Sequence, residues 1–315
     1  MPVPSQDSRA LDQRAQGTCY GFVVRSALPF SYLRLGGAKE ELRVEEGSDS
    51  VPAVGEPLYE RLPRSDRPLH ARIFADGDQF RLWTDRDGWF GIDPGSRIVT
   101  VPTAADAIRR EERVWGYPAM LLFLVRGDLP IHASAVDVGG GALMFAAPGQ
   151  HGKTTLATAF HNAGHRLLCD DISCCRVEPE VSVVPGPAVT RIRRDAYEQI
   201  EVPGVRIAWD EPERIHLAID DDRRGDGEPV PLRGIVLLRG AKDLRLERVP
   251  AERALPDLWT LIFKLPGDAE WTRCFESTAA LASSVPIWNL HRPLVFESLP
   301  EIVDRIIETC LTPSG

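Results

Sequence analysis

Apolar positions change their rhythm twice along the chain. Between residues 20 and 102, short apolar runs at 20–24, 72–74, 79–83, 89–92 and 97–101 are separated by Asp76-Gly77-Asp78, Asp85-Arg86-Asp87-Gly88 and Asp93-Pro94-Gly95-Ser96. Asp-Gly and Pro-Gly pairs close hairpins, so this stretch predicts a small antiparallel β-domain, residues 1–102, with Trp83, Trp89 and Phe90 in its core. Its polar first 17 residues have no apolar signal-like segment and predict a flexible tail. From 103 to 129 the spacing becomes helical: Thr103 is placed to cap a connecting helix from about Ala104 to Val125, with a break near Gly116-Tyr117-Pro118. From 130 onward, strands and helices mix. The run 130–138, the turn Gly139-Gly140-Gly141 and the run 142–147 read as a hairpin, so the sheet of this second domain, 130–315, is mixed.

The most telling stretch follows that hairpin. Ala142-Leu143-Met144-Phe145-Ala146-Ala147 is a buried strand, and Pro148-Gly149-Gln150-His151-Gly152-Lys153-Thr154-Thr155 is a glycine-containing turn. Leu156, Ala159, Phe160 and Ala163 then recur at helical spacing, Gly164 ends the helix, and a second apolar strand runs into Asp170-Asp171. A strand, a Gly-x-x-Gly-Lys-Thr loop and a helix make a phosphate cradle: backbone N–H groups of Gly149, Gln150, His151 and Gly152 and the positive helix end face an anion. Lys153 adds a point charge, and the Thr154 hydroxyl is a ligand for Mg²⁺. A parallel crossover brings Asp170 and Asp171 out on the loop's side of the sheet. One carboxylate then serves the metal and the other takes a proton from an attacking hydroxyl. Ala147 stands where such loops carry their first glycine, which predicts an altered path fixed by Pro148 and relieved at Gly149.

Composition narrows the partners. A net charge of -9 argues against nucleic acid or an anionic membrane, and the longest apolar run, 120–125, is far short of the ~20 residues that span a bilayer. Cys19, Cys169, Cys174, Cys175, Cys274 and Cys310 form no C-x-x-C pair. Zinc held by Cys169, Cys174, Cys175 and His165 is therefore a poorer reading than buried, reduced thiols in a cytoplasmic protein.

Three segments, 131–136, 147–156 and 164–171, resemble the catalytic domain of HPr kinase/phosphorylase and its kinase-like relatives, which share a P-loop fold with phosphoenolpyruvate carboxykinase. The likeness covers 130–177 well and the remainder loosely. The N-terminal β-domain looks more like that of relatives beside peptide-modification genes, including kinases of lasso-peptide precursors. The resemblance implies an α/β fold, with Gly149, Gly152, Lys153, Thr154 and Thr155 on the phosphates and metal of ATP, GTP being the alternative. It implies that Asp170 and Asp171 divide the base and metal roles, the working assignment putting Thr154 and Asp171 at the metal. It also implies that His132, on pattern alone a structural histidine, faces the transferred phosphoryl group.

Further along, Arg191 and Arg214 are secondary candidates for charge stabilisation, with Arg223 and Arg224 in the polar loop 220–228. Strands are predicted at 214–219, in a hairpin of 233–239 with 244–249, and at 287–290; helices are predicted at 254–263, 276–282 and 299–310. The expected activity is transfer of a γ-phosphoryl group to a hydroxyl, on Ser or Thr of a peptide or small protein or on a small molecule. A nucleotide-binding regulatory module without transfer is the competing expectation. Self-association into a homo-oligomer is compatible with either.

Overall fold

The structure, a computed structural model, describes residues 17–47, 55–63, 69–103 and 106–311. The expected tail lies outside the described residues except for Gly17, which already pairs with Val24 in the first strand. Two large mixed sheets and one small antiparallel sheet make up a mixed α/β protein. The first sheet takes all eight of its strands from residues 17–102, in the spatial order Gly17–Cys19, Phe22–Ser26, Glu40–Gly47, Ile98–Pro102, Gly88–Asp93, Gln79–Thr84, Ala71–Asp76, Tyr59–Arg61. It is not wholly antiparallel as the turns suggested: Glu40–Gly47 runs parallel to both Phe22–Ser26 and Ile98–Pro102. Turn residues mark local hairpins, whereas these parallel pairs are joined by long crossovers that leave no local signature.

Period-2 alternation sets the faces of this sheet. Leu82, Phe90 and Ile92 point inward with Phe22, Val24 and Leu42, and pack on Val114, Leu121 and Phe123 of two helices, Ala107–Val114 and Tyr117–Arg126. Trp83 and Trp89, expected in the core, pair across neighbouring strands on the half-buried outer face. The connecting helix is broken at Gly116 as the sequence suggested. Its cap, however, is Asp106, whose carboxylate accepts from Ile108 N–H at 2.9 Å; Thr103 plays no such part, and Ala104 lies outside the described residues.

In the second sheet Ala142–Ala146 lies between Ala133–Asp137, its antiparallel hairpin partner, and Val230–Gly240, its parallel neighbour. Arg166–Cys169 pairs with the far side of Ala133–Asp137, so it runs parallel to Ala142–Ala146 with one strand between them. Side chains of the loop strand alternate between two helical layers. Leu143 and Phe145 meet Leu156 and Phe160 of the helix Lys153–Asn162, backed by Ile302 and Ile306 of Leu299–Leu311. Ala142 and Met144 meet Leu258 of Ala251–Leu261 and Leu281 of Asp268–Ser284. Burial on both faces is why the strand reads as an unbroken apolar run. The expected hairpin of 233–239 with 244–249 is not formed: Ile287–Arg292 inserts between them, parallel to Val230–Gly240 and antiparallel to Arg245–Val249. The small sheet is Val189–Arg193, Arg214–Ile219 and Val205–Asp210, with Arg214–Ile219 in the middle.

The crossover between Phe22–Ser26 and Glu40–Gly47 ties the two large sheets together. Its Arg34 is fully buried and donates to the carbonyls of Leu167 (2.8 Å), Leu168 (2.9 Å) and Gly186 (2.8 Å), gripping the strand that delivers Asp170. The same crossover is anchored by Glu111, whose carboxylate accepts from the backbone N–H of Ser31 (2.5 Å) and Tyr32 (2.9 Å). Burial pushes the Glu111 carboxyl up to about 7, against the lowering effect of those bonds. Because the folded chain holds this proton more tightly than the unfolded one, Glu111 makes the protein lose stability as pH rises from about 4.5 to about 7. In urea titrations across that range, Glu111→Gln is expected to be less stable overall but to lack this slope, on the order of 1.4 kcal/mol per pH unit. Parallel pH profiles for wild type and variant would refute the assignment.

Candidate active site

The loop between Ala146 and Lys153 carries its two left-handed residues at Gln150 (φ 66) and Gly152 (φ 75). Ala147 needs no such conformation, and the relief expected at Gly149 comes one residue later. That accounts for an alanine at the first loop position. Gly152 caps the loop helix, and no side chain among the described residues caps its first-turn N–H groups. A side chain at Gly152 would also collide with Arg292, whose guanidinium would lie 2.4 Å from a β-carbon. Arg292 is buried and donates to the carbonyls of His151 and Gly152, both at 3.3 Å, holding the loop from behind; burial lowers its pKa. His151 folds back within the loop, its Nδ1 2.8 Å from the Gly149 carbonyl.

Lys153 begins the helix, buried, with its ammonium 3.0 Å from the Ala147 carbonyl, 3.2 Å from that of Pro148 and 3.0 Å from His132 Nε2. A protonated lysine can only donate, so His132 Nε2 is the acceptor of that contact. His132 Nδ1 sits 3.0 Å from the Asp171 carbonyl oxygen and 3.3 Å from its carboxylate. His132 itself lies at a strand break. Ile131 pairs with Ser173 on one side of the sheet and Ala133 pairs with Ala146 on the other, which leaves His132 at the point where the chain changes partners.

The two aspartates occupy different surroundings. Asp170 is buried and accepts four hydrogen bonds: Ser134 Oγ (2.7 Å) and Thr154 Oγ1 (2.9 Å) on one oxygen, Thr190 Oγ1 (3.0 Å) and Arg191 N–H (3.0 Å) on the other. Asp171 follows in a left-handed conformation (φ 67), a strained choice that asparagine and aspartate tolerate best. This turn swings its carboxylate away from Asp170 to Arg191, 3.5 Å away, with the side chain 47% exposed. Burial pushes the Asp171 carboxyl up, but Arg191, His132, Lys153 and Arg214 outweigh it and hold the group at about 2. The Arg191 pKa is raised in turn: burial opposes its charge, and the carboxylates around it, Asp171 foremost, prevail.

Of the residues singled out from sequence, the structure brings Lys153, His132, Asp171 and Arg191 into one chain of contacts and Thr154 against Asp170. Thr154 and Asp171, assigned together to the metal, have different partners: Thr154 bonds Asp170, and Asp171 contacts His132 and Arg191. Thr155 is on the helix one residue beyond Thr154. Arg214 donates to the Arg191 carbonyl at 3.4 Å, a neighbour of the site. Arg224 bonds the carbonyls of Ile219 and Leu33, and Arg223 packs by Gly204. Ser134, Thr190 and Arg292 were not anticipated. Ser134 had left one trace, a hydroxyl in the middle of an otherwise apolar strand.

No protein-family model matches the chain, and no curated protein does either. Among solved structures, the HPr(Ser) kinase/phosphatase from Coxiella burnetii is similar at 12% sequence identity and a TM-score of 0.33, over 59% of this chain and 99% of that one. At that level the likeness carries no functional argument. Among the described residues, no helix is long and apolar enough to cross a membrane.

Proposed function

We propose that the protein is an ATP- and Mg²⁺-dependent kinase that transfers the γ-phosphoryl group to a hydroxyl acceptor. The observation that carries this reading is the meeting of three chemistries at one sheet edge. They are an uncapped helix start with Lys153, a hydroxyl–carboxylate pair in Thr154 and Asp170, and an ionised Asp171 beside His132 and Arg191.

The residues fit a metal in a specific way. Thr154 spends its proton on Asp170, which leaves the oxygen's lone pairs for a cation, while the Asp170 oxygens are already committed to four donors. Thr154 would therefore hold the ion, and Asp170 would orient Thr154. Mg²⁺, when bound, supplies neutralisation of charge on the phosphate oxygens. Lys153 and the loop amides bind and orient the triphosphate. Asp171, outside that set, takes the acceptor's proton as the acceptor oxygen bonds to the γ-phosphorus and the bond to the β,γ-bridging oxygen breaks, releasing ADP. A carboxylate held at about 2 is a weak base, which suffices when the transition state is loose and the proton leaves late. Arg191 and His132 keep Asp171 in place and ionised.

Incubation with γ-labelled ATP, Mg²⁺ and a panel of hydroxyl compounds and serine peptides tests the reading. Label in an acceptor is the expected result. Binding of ATP with label in neither an acceptor nor free phosphate would replace it with a regulatory nucleotide-binding module.

A further inference from the structure

The catalytic side chains open onto a cavity of about 720 Å³ that the nucleotide loop does not line. His132, Asp171 and Arg191 form one wall. Three half-buried rings from three separate parts of the chain also line it: Tyr59 on the edge strand of the first sheet, Tyr117 at the start of the second helix, and Phe263 after the helix Ala251–Leu261. Their centroids lie 5.5–5.7 Å apart in tilted and edge-on contacts, a preformed aromatic surface. Tyr32 also lines the cavity. It is fully buried, so it backs the wall without presenting a polar atom to the cavity.

Resting on the kinase reading above, we infer that this cavity is the acceptor site, and that the acceptor is a small molecule: an alcohol built on an aromatic ring. The ring lies against Tyr59, Tyr117 and Phe263, and the alcohol reaches Asp171. The volume falls within the ~300–1,000 Å³ typical of small-molecule sites. The cavity lining is drawn from both large sheets and from the segment after Leu261. The first sheet thereby acquires a role, since its edge strand supplies part of the acceptor wall. In the reaction, the acceptor alcohol oxygen gains the phosphoryl group from ATP, its proton passes to Asp171, and ADP leaves.

Tyrosol, 2-(4-hydroxyphenyl)ethanol, is the probe, compared with glycerol and a twelve-residue serine peptide in the presence of ATP and Mg²⁺, with phosphoester followed by ³¹P NMR and mass spectrometry. The expected result is phosphorylation of the tyrosol alcohol with kcat/KM at least tenfold above both comparators. Tyr117→Ala, and separately Met120→Trp, which narrows the cavity from the second helix, should each raise the tyrosol KM at least tenfold with ATP affinity unchanged and a folded circular dichroism spectrum. Transfer to the peptide with tyrosol no better than glycerol would overturn the inference while leaving the kinase reading intact. A tyrosol KM unmoved in the folded Met120→Trp protein would overturn it too. Failure of ATP to bind at all would instead remove the kinase reading on which it rests.

Discussion

Lys153→Met is expected to weaken ATP binding about 100-fold, roughly 2.7 kcal/mol, while the protein stays folded. Methionine keeps the unbranched stem and removes only the charge, so the loss reads the ammonium–phosphate interaction rather than a cavity. In the folded chain the ammonium is turned toward the Ala147 and Pro148 carbonyls and His132. It also helps hold the Asp171 carboxyl low, and a triphosphate arriving at the helix start would bring it a further counter-charge. Loss of three donated hydrogen bonds is offset in part by no longer burying a charge, so the thermal midpoint should move by only a few degrees. Titration with a fluorescent ATP analogue in Mg²⁺, alongside thermal unfolding, measures both. Unchanged affinity in a folded variant would mean that phosphate does not bind at this loop.

The strand, loop and helix around Lys153 and the strand ending in Asp170-Asp171 were legible because their signals are local. The run 142–147, the glycines at 149 and 152 and the helical spacing after Lys153 sit within about twenty residues, and backbone physics translates them directly into strand, loop and helix. What escaped was whatever depends on contacts between distant segments. The parallel pairing of Phe22–Ser26 with Glu40–Gly47, and the insertion of Ile287–Arg292 between Val230–Gly240 and Arg245–Val249, are set by packing across the whole sheet. Arg292 shows the same limit at the site: an arginine at the end of a late strand gives no sequence hint that it will be buried under Gly152. The different surroundings of Asp170 and Asp171 were equally hidden, since they turn on one left-handed residue and on donors supplied by Ser134 and Thr190, 36 and 20 positions away. The aromatic wall is the extreme case, with Tyr59, Tyr117 and Phe263 meeting only in the folded chain.

That difference makes Asp171→Asn the cleaner test of chemistry, with an expected fall in phosphoryl transfer of about 10²–10⁴-fold. Asparagine tolerates the left-handed backbone at this position and matches the side chain in shape, so the turn after Asp170 should survive. Removing a negative charge near the phosphates cannot weaken ATP binding by repulsion, so nucleotide affinity should hold or improve. The folded pKa of about 2 lies below the ordinary carboxylate value. Asp171 therefore contributes stability above about pH 4 that is lost as pH falls toward 2, and the variant should lack this acid-side slope. Asp170→Asn would be harder to interpret. Whichever way its amide turns, an NH₂ would face either Ser134 and Thr154 or Thr190 and the Arg191 N–H, leaving buried donors opposed at about 1–3 kcal/mol each. A lost activity there mixes damaged folding with damaged chemistry. The decisive comparison uses Asp171→Asn with labelled ATP at saturating nucleotide. If label still reaches acceptor or water within threefold of the wild-type rate, Asp171 is no base, and the transfer step has to be sought at another group.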